Sequence, residues 1–135
     1  MKVDSLITLA NELKIKYCQN EAMAFHTSFK IGGAADIFLS PQNTQQLKAL
    51  VGRCKSHNIP CFILGSGSNL VVSDKGIEGA VISMTELSGI ELLDETTVYA
   101  QAGASLAALC NFAKDKGLTG LEFAYGIPGS VGGAL

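Results

Sequence analysis

Three stretches of the chain place apolar residues at helical spacing, and several shorter ones alternate or run continuously apolar. Leu6, Leu9, Ala10 and Leu13 share one face of a first predicted helix, with Asp4 or Ser5 placed to cap it. Leu47, Leu50, Val51 and Cys54 define a second helix capped by Thr44. Leu106, Leu109, Cys110 and Ala113 define a third, capped by Ser105 and stopped at Gly117. Phe25–Ile31 alternates and predicts a strand. Gly32-Gly33 then turns the chain into a second strand, Ala35–Leu39, which Ser40-Pro41 ends. Pro60–Leu64, Leu70–Val72, Gly79–Ile82, Gly89–Leu93 and Thr97–Ala102 are further strand candidates between turn residues, and Cys61 is expected to open a buried strand.

This order predicts an α+β fold in two small subdomains, residues 1–58 and residues 59–135. The close run of strands argues against a regular βαβ repeat. The sequence stops at Gly132-Gly133-Ala134-Leu135, within a glycine-rich apolar segment, so the second subdomain is expected to be incomplete and truncated at its C-terminus.

Composition narrows the function classes. The 135 residues include 15 glycines and no tryptophan, and the net charge is −2. That balance argues against non-specific binding to nucleic acid or an anionic membrane, both of which need a basic surface. No apolar run has the length of a membrane span, and Met1-Lys2-Val3-Asp4 does not begin a signal peptide. The expected location is the cytoplasm. Cys18, Cys54, Cys61 and Cys110 lack paired CxxC spacing. Cys54, His57 and Cys61 superficially resemble metal ligands, but Cys54 continues a helix face. Reduced thiols and no metal are the expectation.

The richest local signal is Gly65-Ser66-Gly67-Ser68-Asn69-Leu70, between the apolar segments Pro60–Leu64 and Val71-Val72. Its small residues let a ligand approach the main chain, and consecutive N–H groups can face an anion. A second run, Gly126-Ile127-Pro128-Gly129-Ser130-Val131-Gly132-Gly133, combines a fixed proline dihedral with free glycines and the Ser130 hydroxyl. Tyr125, just before it, can pack on a ring system or on the core. Two such loops suggest a site for a long ligand carrying a diphosphate; two tight turns are the competing reading. Leu70 occupies the position where the dinucleotide fingerprint requires its last glycine. No Walker A motif, nucleophile elbow or paired carboxylate is present. His26 and His57 are isolated.

Three segments, in order, carry a resemblance to a known family. They are Thr27-Ser28-Phe29-Lys30-Ile31-Gly32-Gly33, then Ile63-Leu64-Gly65-Ser66-Gly67-Ser68-Asn69-Leu70-Val71-Val72-Ser73-Asp74-Lys75-Gly76, then Gly120-Leu121-Glu122-Phe123-Ala124-Tyr125-Gly126-Ile127-Pro128-Gly129-Ser130-Val131-Gly132-Gly133-Ala134. Together they resemble UDP-N-acetylenolpyruvoylglucosamine reductases, the bacterial flavoproteins also called UDP-N-acetylmuramate dehydrogenases. The family often has proline where Ala34 stands. The resemblance implies an FAD-binding fold of the vanillyl-alcohol-oxidase type, with FAD between two small subdomains. It implies that Gly65 to Leu70, with Tyr125, Gly126, Ile127, Pro128, Gly129, Ser130, Gly132 and Gly133, line FAD. It further implies NADPH as hydride donor and a UDP-sugar substrate, in peptidoglycan precursor synthesis and hence cell wall biogenesis, cell shape and cell division.

The family's serine, arginine and glutamate, which serve catalysis, lie downstream of the Gly-Gly-Ala segment. No catalytic residue is therefore assigned here, and the chain alone is expected to be inactive. Two other readings stand beside this one: an FAD-dependent hydroxy-acid or alcohol oxidoreductase of the same fold, and a non-enzymatic nucleotide-binding module. The resemblance gives no oligomeric state.

Overall fold

The computed structural model describes residues 2–135. In chain order it contains α1 (Asp4–Leu13), β1 (Lys16–Ala22), a 3₁₀ turn (Met23–His26), β2 (Ala34–Ser40), α2 (Thr44–Ser56), β3 (Cys61–Leu64) and β4 (Ile77–Ser83). It continues with β5 (Ile90–Leu92), β6 (Val98–Ala100), α3 (Leu106–Asp115), a second 3₁₀ turn (Glu122–Ala124) and α4 (Val131–Ala134).

Four strands form one sheet in the order β1-β2-β4-β3, with β1 antiparallel to β2 and β2, β4 and β3 mutually parallel. β4 is central, and its Gly79–Ser83 stretch is buried throughout. Burial on both faces explains its continuous apolar run. Ile37, Leu39, Ala80 and Ile82 face α1 and α2, meeting Leu6, Leu9, Ala10, Leu50 and Cys54. Phe38, Val81, Leu64, Met23 and Val72 pack together in a second cluster. β5 and β6 form a separate antiparallel hairpin.

The three long helices end alike. Ile15 N–H donates to Ala10 O at 2.8 Å, Ile59 N–H to Cys54 O at 2.9 Å and Leu118 N–H to Ala113 O at 2.8 Å. The left-handed residue that permits each closure is Lys14, Asn58 or Gly117. Gly117 is the stop expected from sequence.

Several expectations change. The expected division at residue 58 cuts through the main sheet, since β3 and β4 hydrogen-bond beside β2. Phe25–Ile31 is not a strand. Its Phe25 is 80% exposed, while the His26 ring stacks on Phe38 at 3.9 Å, so the alternation has no partner to pair with. The strand antiparallel to β2 is instead β1, a mostly exposed edge whose polar sequence carries no apolar period. Leu70–Val72 is a loop, held where Gly33 N–H donates to Ser73 O at 2.9 Å. Gly32-Gly33 therefore serves as a close-approach point rather than a hairpin turn.

β3 is an edge strand on which Cys61 is exposed and only Leu64 is buried. α1 has no side-chain cap, because Asp4 lies in its first turn. α2 is capped by Asn43, whose side chain accepts from Gln46 N–H at 2.8 Å, one residue before the expected Thr44. Ser105 does cap α3, accepting from Ala108 N–H at 3.0 Å.

Gly52 lies within α2, where a Cβ would meet nothing within 4 Å, whereas Leu50 is fully buried. Gly52→Ala is expected to raise stability by about 0.5–1 kcal/mol. Leu50→Ala is expected to lower it by about 2–5 kcal/mol. Urea denaturation of both variants checks the assignment of the two helix faces.

Candidate functional site

The parallel strands β2, β4 and β3 all deliver their C-terminal ends to one edge of the sheet, at Ser40, Ser83 and Leu64. That is where open α/β sheets expose ligand sites. The chain leaves β3 directly into the first glycine loop and returns to β4 only at Ile77, without an intervening helix.

The second glycine loop reaches the same place from the far end of the chain. It is pinned beside the start of α3, where Leu106 N–H donates to Gly129 O at 3.0 Å and Val131 N–H to Ala104 O at 2.8 Å. Ser130 is buried, and its Oγ accepts from Gly133 N–H at 3.1 Å. The two loops touch. A Cβ on Gly65 would stand 2.6 Å from Ser130 Oγ, and one on Gly129 would stand 3.4 Å from Ser68 Oγ. Gly65 has room for hydrogen only, and that vacancy is filled by the other loop.

Between them lies a cleft of about 410 Å³. Gly65, Ser66, Gly67, Ser68, Asn69 and Leu70 line it from one side, and Ile127, Pro128, Gly129, Ser130 and Gly133 from the other. Phe62, Ile63 and Leu106 add apolar wall. No titratable side chain lines it. The Ser66 to Leu70 N–H groups donate to no protein acceptor among the described residues, and neither do those of Gly126, Gly129 and Ser130. Ser66 Oγ donates to Ser68 Oγ at 3.2 Å. Unpaired amides and hydroxyls in a glycine-lined concavity suit an anion such as a diphosphate. The residues present therefore fit a dinucleotide cofactor's phosphates, but they include no acid, base or strong nucleophile.

Three expected residues lie elsewhere. Tyr125 is 70% exposed and lines a neighbouring cavity with Cys110, Lys114 and Leu121, because the 3₁₀ turn before it directs the chain past α3. Gly132 sits against Ala102, to whose carbonyl it donates at 2.9 Å. Gly126 lies outside the cleft, with open space around it.

At Gly67 the space a side chain would need is taken by another part of the chain. Its φ is +72°, and a Cβ there would collide with the His26 carbonyl oxygen. Its own carbonyl accepts from Ser28 N–H at 3.0 Å. The missing side chain makes room for the 26–28 segment, while Gly67 itself still lines the cleft.

That segment borders a second cavity of about 380 Å³ on the other side of Gly65-Ser66. Thr27, Ser28, Ser40, Ser83 and Thr85 supply hydroxyls there. Ser83 Oγ and Thr85 Oγ1 are 3.0 Å apart. His26 borders it too, its Nε2 3.0 Å from Glu21 Oε1. Sequence spacing could not reveal this group, because the sheet register alone assembles it. Cys54, His57 and Cys61 are not gathered into a group of three potential ligands among the described residues.

Comparison with known proteins accounts for this architecture. A protein-family model described as FAD binding domain matches residues 35–135. The chain belongs to that family of FAD-binding domains. Among individual relatives, it is 48% identical over 116 residues to UDP-N-acetylenolpyruvoylglucosamine reductase of Clostridium novyi, covering 86% of this chain and 38% of that protein. The crystal structure of UDP-N-acetylenolpyruvylglucosamine reductase from Thermus caldophilus matches with a TM-score of 0.66 at 30% identity, over 89% of this chain and 40% of that one. Cholesterol oxidase from Brevibacterium sterolicum shares the fold, with a TM-score of 0.65 at 22% identity over 91% of this chain and 24% of that one. The fold is thus the FAD-binding fold of the vanillyl-alcohol-oxidase type, and FAD is its cofactor. The chain spans about two fifths of the length of the reductases it matches.

Gly67 and Gly126 both have positive φ, +72° and +86°, but only Gly67 has backbone in the way of a side chain. Gly67→Ala is therefore expected to lose about 1–3 kcal/mol more stability than Gly126→Ala. Urea denaturation measures the difference, and equal losses would show that the 26–28 segment does not close on the loop.

Proposed function

We propose that this chain is the FAD-binding portion of a reductase that converts UDP-N-acetylglucosamine enolpyruvate to UDP-N-acetylmuramate with NADPH, in peptidoglycan precursor synthesis. The observation that carries the reading is the joined pair of glycine loops, in a chain with close sequence identity to reductases of that name. In this reading the unpaired amides of Ser66 to Leu70 hold the FAD diphosphate, and Gly129 and Ser130 close the cleft over it. FAD, held there, would supply the redox chemistry between NADPH and the enolpyruvyl double bond. The residues of this chain bind and orient the cofactor.

Proton donation and stabilisation of the developing enolate need polar or ionised groups that the cleft lining does not include. Those groups, and the UDP-sugar site, belong to the remaining three fifths of such a reductase. The chain alone is accordingly inactive. It also binds FAD more weakly than a full-length reductase, because fewer walls order the ligand. Binding needs neither nucleic acid nor a membrane. No helix among the described residues is long and apolar enough to cross one.

The test compares this chain with the Clostridium novyi reductase. Flavin fluorescence is titrated with each protein, and product is followed by mass spectrometry with FAD and NADPH supplied. The chain is expected to bind FAD in preference to ADP and to form product at least about a hundredfold more slowly than the reductase. Product formation near the reductase rate would place the catalytic groups within residues 1–135. Equal affinity for ADP and FAD would favour a general nucleotide-binding module.

A further inference from the structure

Residues 23–33 form a closed loop beside the first glycine loop. Met23 N–H donates to Gly33 O at 2.9 Å and joins the loop's ends. The tip rests on Gly67: Ser28 N–H donates to Gly67 O at 3.0 Å, and the His26 carbonyl takes the place of the missing side chain. Large apolar side chains do not hold that tip, since Phe25, Phe29 and Ile31 are all exposed. Thr27 is buried, but its hydroxyl turns back into the loop, donating to Ile31 O at 3.3 Å. His26 is the side chain that reaches the sheet. Its ring stacks on Phe38 of β2, with centroids 3.9 Å apart and planes 18° from parallel, and its Nε2 lies 3.0 Å from Glu21 Oε1 of β1. One imidazole thereby ties the loop to two strands.

We propose that His26 is a positioning residue: its side chain anchors the 26–28 segment against Gly67 and so keeps the first glycine loop in its anion-binding shape. The inference rests on the reading of that loop as part of an FAD diphosphate site. The amides of Ser66 to Leu70 make no backbone bond that would fix their direction. The loop is braced from outside instead, by Ser130 at Gly65 and by the 26–28 segment at Gly67. Bracing removes alternative loop shapes before a ligand arrives, which lowers the ordering cost of binding.

Histidine suits this task because it offers both a planar ring to Phe38 and an N–H to Glu21. Phenylalanine supplies only the first and glutamine only the second. His26 does not line the cleft between the glycine loops, so its effect on that cleft passes through the segment it holds.

Two measurements on the whole chain test it: amide exchange without FAD, and titration of FAD fluorescence. In His26→Ala the Ser28 amide is expected to exchange about tenfold faster, while the β4 amides keep their wild-type rates. The same variant is expected to bind FAD about tenfold more weakly. His26→Phe keeps a ring for Phe38 and is expected to recover most of both losses. Phe29→Ala removes an exposed side chain from the same loop and is expected to change neither. If His26→Ala fails to fold, Glu21→Ala removes one of the two anchoring contacts and is expected to show the same pattern at about threefold. Unchanged Ser28 exchange would overturn the proposal, as would faster Ser28 exchange with unchanged FAD affinity. Equal acceleration of the β4 amides would overturn it too, since that marks global destabilisation. A wild-type chain that binds no FAD would refute the FAD reading instead, and Ser28 exchange would still decide the anchor.

Discussion

The contact between Gly65 and Ser130 joins the two ends of this structure. Gly65 follows the edge strand of the main sheet, and Ser130 follows the long excursion through the β5–β6 hairpin and α3. Only hydrogen at Gly65 permits Ser130 Oγ to sit where it does. Ser130 in turn is fixed by its bond from Gly133 and by the backbone bonds that flank it toward residues 104–106. Without that approach the loops would remain two separate turns. With it, their unpaired amides share one concavity.

The sheet sets the position of this junction. Parallel alignment of β2, β4 and β3 places three strand termini at one edge, so the hydroxyls of Ser40 and Ser83 stand near the first glycine loop. Helices α1 and α2 pack against the central strands through one buried apolar cluster. The site is correspondingly a binding surface. It offers N–H and hydroxyl donors to an anion and leaves redox chemistry to the cofactor, which matches the FAD-binding family to which the chain belongs.

What the sequence disclosed followed from the kind of signal each element carries. The amphipathic helices were legible because Leu50 and Cys54, or Leu106, Cys110 and Ala113, fall at helical spacing. β2 and β4 were legible as apolar runs, and both glycine loops as clusters with no bulk. β1 was not, because an edge strand can be polar and still satisfy its ladder through β2. Phe25–Ile31 misled for the complementary reason: its alternating Phe25, Phe29 and Ile31 are exposed, and it is His26 that stacks on Phe38. Tyr125 and Gly132 show a further limit. Adjacency in a motif does not fix which way each residue points, and here the turns at Glu122–Ala124 and Val131–Ala134 separate them from the cleft.

The central claim is that the two glycine loops act as one site for the FAD diphosphate. Amide hydrogen exchange of the chain, with and without excess FAD, tests it most directly. The account predicts that protection rises together at Ser66 to Leu70 and at Gly129 and Ser130, while the amides of α2 are unchanged. Protection confined to one loop, or absent from both while FAD is bound, would contradict it.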